Sequence, residues 1–252
     1  AKKVGKGKSV ILVATSGDTG KAALEGFCDV PDTEIIVFYP NNGVSPMQKL
    51  QMDTQKGENV YVCAINGNFD DAQSGVKNIF TDNELKARLN ASGMEFSSAN
   101  SINWGRLVPQ IVYYVSAYCD LLNMGESLDD GFNVVVPTGN FGNILAAFYA
   151  KCMGVPIAKL VCASNANNVL TDFINTGVYD RNRRFYTTVS PSMDILISSN
   201  LERMVYHLCG NDSEKTAELQ RELAETGRYT LDAELLKKLK ELYFGGCCDD
   251  SE

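Results

Sequence analysis

The chain has 252 residues, of which 44% are hydrophobic, with 23 Lys and Arg against 31 Asp and Glu and a formal net charge of −8. Such a chain can bury the core of one large domain or of two smaller ones, which predicts a globular protein. The charges are spread along the sequence, which argues against nucleic acid or an anionic membrane surface as a partner, because both favour clustered positive charge.

Short apolar, β-branched runs alternate with longer amphipathic segments along the chain. Runs of this kind, bounded by Gly, Asn and Pro, predict strands buried on both faces of a parallel sheet. The predicted strands are 9–14, 34–39, 59–65, 133–137 and 159–163. The predicted helices are 20–28, 46–55, 69–81, 83–90, 104–122 and 143–153.

The second half continues as helix and ends without an obvious closing element. Residues 213–242 are charged and predicted to be helical with breaks near Gly227, and no closing element is expected in the final GGCCDDSE. The alternation of strand and helix predicts a doubly wound α/β protein with mostly parallel sheets. A boundary near residues 98–103 would separate a smaller α/β domain at 1–100 from part of a larger one at 101–252.

Cysteine usage and the chain ends bear on location. Eight cysteines lack CxxC spacing, and the Cys247 and Cys248 pair has no histidines at zinc-ligand spacing, so we expect no metal site. Most lie in apolar runs, which predicts reduced structural thiols in a cytoplasmic compartment. No stretch reaches the roughly 20 apolar residues of a membrane span. The N-terminus lacks both a signal-peptide core and an initiating Met, which suggests a piece of a longer protein.

The segment PTGNFGN at 137–143 joins a predicted strand to a predicted helix. Glycines let the backbone approach a ligand closely, and the helix start carries partial positive charge, so the segment fits a phosphate site. A plain tight turn between strand and helix is the alternative. The segment matches neither the Walker loop nor GxGxxG.

The segment TSGDTG at 15–20 also follows a predicted strand. Asp18 or Thr19 is expected to cap the following helix. Two hydroxyl groups and two glycines at the carboxyl end of a strand equally fit a ligand-binding turn, because ligands of open α/β sheets bind at that edge.

The segment ANSINWGRLVPQ at 99–110 supplies neutral hydrogen-bonding groups and one guanidinium in an otherwise apolar helix. Arg106 either forms a surface ion pair or binds an anion with two nitrogens. The sole histidine, His207, is expected to be a packed or half-exposed helix residue, and Trp104 fits a ligand cleft or a core or hinge position equally well.

Taken in order, ATSGDTG, NSINWGR, PTGNFGN and SPSMDILISSNLER resemble threonine synthases of the longer bacterial and fungal type, from about Val10 to Asp250. The resemblance implies the tryptophan-synthase-β-like fold of pyridoxal-phosphate enzymes (fold type II), with two domains of which the larger is incomplete here. It implies conversion of O-phospho-L-homoserine and water into L-threonine and phosphate.

The resemblance also assigns residues. The cofactor phosphate would be bound by the backbone N–H groups of Gly139, Asn140, Phe141, Gly142 and Asn143. Asp18 would face the phenolic oxygen of pyridoxal phosphate, where several relatives have Asn. The substrate's carboxylate and phosphate would be held by Ser16, Thr19, Asn100 and Arg106.

The sequence departs from this family in two places. The Phe-Lys-Asp-type segment with the Schiff-base lysine, and a C-terminal Pro-His-Thr-Ala-like segment, do not occur in this chain. Lys2, Lys3, Lys6 and Lys8 are interpreted as a solvated run. We therefore expect this chain alone to be inactive. Two alternatives stay open: another eliminating or replacing enzyme of this fold, such as a dehydratase or sulfhydrylase, and a non-catalytic homologue that binds phosphate ligands.

Overall fold

The computed structural model describes residues 7–250 and divides the chain into two compact units, the first ending at Asn103 and the second beginning at Trp104. The domain boundary predicted at residue 100 lies three residues earlier. Of the predicted lysine run, Lys2, Lys3 and Lys6 lie outside the described residues, whereas Lys8 forms an ion pair with Glu34. No helix among residues 7–250 is both long and apolar enough to cross a bilayer.

Over residues 7–103, the first unit is a four-stranded parallel sheet in the order β3-β2-β1-β4 with four helices. Its strands are β1 (Lys8–Ala14), β2 (Thr33–Pro40), β3 (Val60–Ile65) and β4 (Met94–Ser98). Its helices are α1 (Asp18–Phe27), α2 (Pro46–Asp53), α3 (Phe69–Thr81) and α4 (Asn83–Ala91). The apolar core includes Ile11, Val13, Leu24, Ile35 and Val37, so the inner strands carry it.

The second unit contains a three-stranded parallel sheet in the order β5-β6-β9 and a two-stranded antiparallel sheet, β7-β8. Its strands are β5 (Phe132–Pro137), β6 (Ile157–Ser164), β7 (Val178–Asp180), β8 (Arg228–Thr230) and β9 (Tyr243–Cys247). Its helices are α5 (Trp104–Leu107), α6 (Ile111–Asn123), α7 (Gly142–Cys152), α8 (Val169–Thr176), α9 (Leu201–Leu208), α10 (Ser213–Thr226) and α11 (Ala233–Leu242). Helix α7 is buried along most of its length and forms the centre of the core.

Three predicted features of these elements were wrong. The single helix predicted at 104–122 is divided by a 3-10 turn, Val108–Gln110, because Pro109 has no N–H to donate within a continuous helix. Burial on both faces holds for β1 but not for the edge strand β3, nor for β5, where Val135 is 62% exposed.

The chain also has the closing strand that the final segment was not expected to form. Strand β9 pairs with β6 from Leu160 and Tyr243 onward. A Cβ at Gly245 would lie 3.0 Å from the Thr171 carbonyl oxygen, so the glycine lets helix α8 pack closely on this strand. The glycine pair that indicates a loop in sequence therefore marks a close approach of helix to sheet.

Candidate functional site

The turn between β5 and α7 contains the segment predicted to bind phosphate. Phe141 is the residue before the first turn of α7 and has φ 61°, ψ 5°, a left-handed conformation that is uncommon outside glycine. Its ring is 1% exposed and lies 5.5 Å from the Tyr243 ring, centroid to centroid. Burial of this ring holds the turn in a conformation that would otherwise be disfavoured.

The polar backbone groups of this turn fall into two sets, which differ in whether the protein binds them. Within the described residues, no protein acceptor pairs with the N–H groups of the five positions 139–143. The carbonyl groups, by contrast, are bound: Ser198 donates to Gly139, Asn200 donates to Asn140, and the Leu145 N–H donates to Phe141. A cluster of unpaired N–H groups at the start of a buried helix is suited to an anion such as phosphate.

Two side chains from the preceding helical region hold Asn143 in this turn. The Tyr114 hydroxyl donates to Asn143 Oδ1 at 2.6 Å and to its carbonyl oxygen at 3.1 Å, and Asn143 Nδ2 donates to Gln110 Oε1 at 3.0 Å. Burial raises the pKa of Tyr114 to about 12, so the phenol stays a neutral donor. Asn143 thus presents its backbone N–H to the site while its side chain is used within the protein.

Arg106 lies one helical turn before Gln110 and connects to the same network. Its carbonyl oxygen accepts from Gln110 Nε2 at 3.3 Å. The guanidinium is half-buried, and loss of solvent lowers the pKa of Arg106 from its ordinary value, although an arginine remains charged at any physiological pH. The second unit therefore brings Arg106, Gln110 and the first turn of α7 together.

The turn after β1 is organised by Thr15, and the predicted cap is wrong. Helix α1 begins at Asp18, its N-cap is Gly17 with φ 140°, and no side chain caps it. Thr15 Oγ1 instead accepts from the N–H groups of Gly17 and Gly20, each at 2.9 Å. Asp18 and Thr19 are the first two residues of the helix, and neither of them is its N-cap.

Two polar side chains of this turn, Ser16 and Asp18, differ in their contacts within the protein. Ser16 is half-buried, and its hydroxyl makes no hydrogen bond within residues 7–250. Asp18 Oδ1 accepts from Gln48 Nε2 at 2.7 Å, and a Cβ at Gly17 would collide with the Gln48 amide. Gln48 therefore holds Asp18, and the φ of 140° at position 17 favours glycine beside it.

Asn100 lies at the same strand end but uses its amide within the protein. It is 9% exposed, accepts from the Ala14 N–H at 2.9 Å and donates to the Ala14 carbonyl at 2.7 Å. One amide hydrogen and one lone pair remain for a ligand. The first unit thus brings Ser16, Asp18, Thr19 and Asn100 to the carboxyl end of β1.

Several residues that contact these turns were not predicted from the sequence. Gln48, Gln110, Tyr114 and the Ser198–Asn200 segment all hydrogen bond to predicted site residues. The segment SPSMDILISSNLER, which contains Ser198–Asn200, was part of the resemblance to threonine synthases, but no role was predicted for its residues. The resemblance was the only sign in the sequence that this segment matters, because its short polar side chains follow no periodic pattern that would predict their contacts.

The remaining candidates have structural contacts. His207 is half-buried on α9, 3.0 Å from the Tyr149 hydroxyl and 3.0 Å from Asn211 Oδ1. Trp104 is 50% exposed, with the Arg203 guanidinium 5.9 Å from its ring centroid. All eight cysteines are free thiols, and within residues 7–250 no group of three or more His, Cys, Asp or Glu is arranged to hold a metal.

No family model matches the chain, but individual proteins match almost all of it. Threonine synthase-like 1 of Pongo abelii is 47% identical to this chain, in a match that covers 96% of this chain and 34% of that protein. The yeast threonine synthase structure has TM-score 0.83 and 35% identity, and covers 99% of this chain and 49% of that one.

The pyridoxal-phosphate-bound threonine synthase of Brucella melitensis has TM-score 0.81 and 39% identity, over 96% of this chain and 50% of that one. The chain thus spans between a third and a half of the length of these proteins. The expected fold is confirmed, and over the part of that fold which it spans, the chain is homologous to threonine synthases.

Proposed function

We propose that this chain supplies the phosphate-binding and substrate-binding part of a pyridoxal-phosphate-dependent threonine synthase. The whole protein would convert O-phospho-L-homoserine and water into L-threonine and phosphate. The observation that carries the proposal is the turn at 139–143, whose carbonyl groups are bound by protein while its N–H groups have no partner among the described residues.

The turn suits the cofactor phosphate for three physical reasons. The N–H groups lie at the start of α7, where the helix dipole favours a negative charge. The turn contains no acidic residue that would repel an anion. Phe141 and Gly142 are buried, so hydrogen bonds made there are weakly screened by water. Bound pyridoxal phosphate would supply an electron sink next to the substrate's α-carbon.

The other predicted residues take roles that fit their surroundings. In the second unit, Arg106 would bind an anionic group of the substrate, since its guanidinium group is charged, planar and half-buried. In the first unit, Ser16, Thr19 and Asn100 would donate hydrogen bonds to a carboxylate or phosphate. Asp18, oriented by Gln48, would accept from the protonated cofactor oxygen.

The proposal for these 252 residues is confined to binding. The lysine that would carry the cofactor in the resembling family has no counterpart in this sequence, so we expect no phosphate release from O-phospho-L-homoserine by the chain alone. The eight free thiols support a reducing compartment, and we infer a cytoplasmic protein from them.

The binding test uses a ligand pair that differs only in phosphate. Calorimetry would compare pyridoxine 5′-phosphate with pyridoxine, neither of which has an aldehyde that reacts with lysines. We expect at least about a tenfold preference for the phosphate ester, because a hydrogen bond to a charged group contributes about 1.5–3 kcal/mol. Equal affinities for the two ligands would refute the phosphate site.

A charge variant locates that preference in the turn. Asn140→Asp keeps the acceptor for Ser199 but adds a negative charge beside the phosphate. It should abolish the preference, whereas the same change at exposed Asn175 should retain it. If both variants bind like the wild-type chain, the phosphate lies elsewhere.

A second candidate is a phosphate-ligand-binding homologue without threonine synthesis. It is favoured by the 47% identity to a threonine synthase-like protein, compared with 35% and 39% to solved threonine synthases. The two functions are separated by product analysis of the whole protein supplied with O-phospho-L-homoserine. Threonine formation would exclude the second candidate, and ligand binding without turnover would support it.

A further inference from the structure

The segment Ser198–Asn200 lies directly against the phosphate-binding turn. Ser198 Oγ donates to the Gly139 carbonyl at 2.9 Å. Asn200 is fully buried, and both its N–H, at 3.1 Å, and its Nδ2, at 2.9 Å, donate to the Asn140 carbonyl. These bonds fix two successive carbonyl groups of the turn from the protein side.

A hydrogen bond that fixes the carbonyl group of one residue also fixes the direction of the N–H group of the next residue. In a trans peptide the C=O of one residue and the N–H of the next point in opposite directions. The bonds from Asn200 therefore direct the Phe141 N–H away from the protein, and the bond from Ser198 does the same for the Asn140 N–H. Both N–H groups belong to the set without a protein partner.

Arg203 determines which way the Asn200 amide is turned. Arg203 Nη1 donates to Asn200 Oδ1 at 2.7 Å, and its guanidinium lies over the Trp104 ring. Because a guanidinium can only donate, Oδ1 must face Arg203, which leaves Nδ2 to face the Asn140 carbonyl. The charge also polarises the amide and strengthens the second bond.

We propose that Asn200 is a positioning residue for the phosphate site: its amide, oriented by Arg203, turns the Asn140–Phe141 peptide so that its N–H faces the phosphate. The inference rests on the proposed function, since it assigns a role in phosphate binding at the same turn. Neither Asn200 nor Arg203 needs to touch the ligand.

The first test replaces the amide donor by an isosteric acceptor. In Asn200→Asp a carboxylate oxygen would face the Asn140 carbonyl, and the peptide should rotate or shift. We expect the ratio of affinities for pyridoxine 5′-phosphate and pyridoxine to fall at least about tenfold, with the affinity for pyridoxine unchanged. Asn175 is a matched control, because its Nδ2 also donates to a backbone carbonyl, that of Gly245, and Asn175→Asp should keep the ratio.

The second test leaves the buried residue intact and serves if Asn200→Asp does not fold. Arg203→Met removes the cation that orients the amide and should lower the same ratio, while Arg203→Lys, which still donates, should restore most of it. A folded Asn200→Asp or Arg203→Met variant with the wild-type ratio overturns the inference. An equal loss for both ligands also overturns it, because that result indicates general damage to the fold.

The outcome for the wild-type chain separates this inference from the proposed function. A wild-type chain that binds both ligands alike refutes the phosphate site and, with it, the role of Asn200. A wild-type chain that prefers the phosphate ester, together with variants that keep this preference, refutes the role of Asn200 alone. Amide NMR shifts of Phe141 on addition of pyridoxine 5′-phosphate give a direct second measurement.

Discussion

A methyl group at Gly139 should destabilise the second unit, because the turn at 139–143 packs tightly against the segment before α9. A Cβ at this position would lie 2.8 Å from Ile195 Cδ1 and 2.8 Å from the Ser192 carbonyl oxygen. The isoleucine methyl can move, but the Ser192 oxygen is backbone and resists displacement. Overpacking of this kind costs about 1–3 kcal/mol, and displacement of the turn would weaken the bond from Ser198 by up to about 1 kcal/mol more.

Urea unfolding followed by Trp104 fluorescence measures this cost, since Trp104 is the only tryptophan and lies in the second unit. We expect Gly139→Ala to lower the unfolding midpoint with an unchanged slope, and to weaken binding of pyridoxine 5′-phosphate. Gly246→Ala is the control, because its Cβ would meet only Phe244 Cε1 at an ordinary 3.6 Å. A Gly139→Ala protein as stable as the wild type would refute the packing argument for this turn.

Two further predictions concern buried ionisable groups. Burial raises the pKa of Tyr114 to about 12, so its neutral form contributes stability that is complete below about pH 10 and is lost as the pH rises through 12. Tyr114→Phe should lower the free energy of unfolding by about 1–2 kcal/mol at pH 8, and the variant should lose less stability than the wild type between pH 10 and 12. Urea midpoints that fall equally in the wild type and the variant over this pH range would contradict the prediction. Burial also raises the pKa of Cys162 to about 11, so iodoacetamide at pH 8 should label it only after unfolding. Mass spectrometry should find the exposed thiols modified first, which are those of Cys119, Cys152, Cys247 and Cys248. Early labelling of Cys162 would refute its burial.

Local patterns in the sequence predicted the regular elements well. Helix α3 begins at Phe69 and ends at Thr81 as predicted, because Asn68 and Asp71 form a capping box in front of an amphipathic segment. Strand β1 was predicted from its continuous apolar run, and every residue from Ser9 to Ala14 is buried. In both cases the decisive information lies within a few neighbouring residues.

The parts that sequence reasoning missed depend on distant contacts. The turn at 15–20 was expected to carry a side-chain cap at Asp18 or Thr19, but Thr15 organises it by bonding two N–H groups ahead of it. Strand β9 was missed because its glycine pair resembles a loop until α8 is placed against it. Neither contact leaves a local pattern.

The candidate phosphate site shows why the sequence of a turn is an incomplete description of its chemistry. Its donors are backbone N–H groups, which every residue except proline possesses, so PTGNFGN specifies where the chain can turn and not which way its peptides face. The direction depends on the groups that bind the opposite carbonyls, and those come from Ser198 and Asn200, about 60 residues later. The side chains that matter most for a site of this type therefore include residues that need not touch the ligand. For this chain the consequence is specific: binding of a phosphate ligand should be more sensitive to Asn200 and Arg203 than to most side chains within the turn itself.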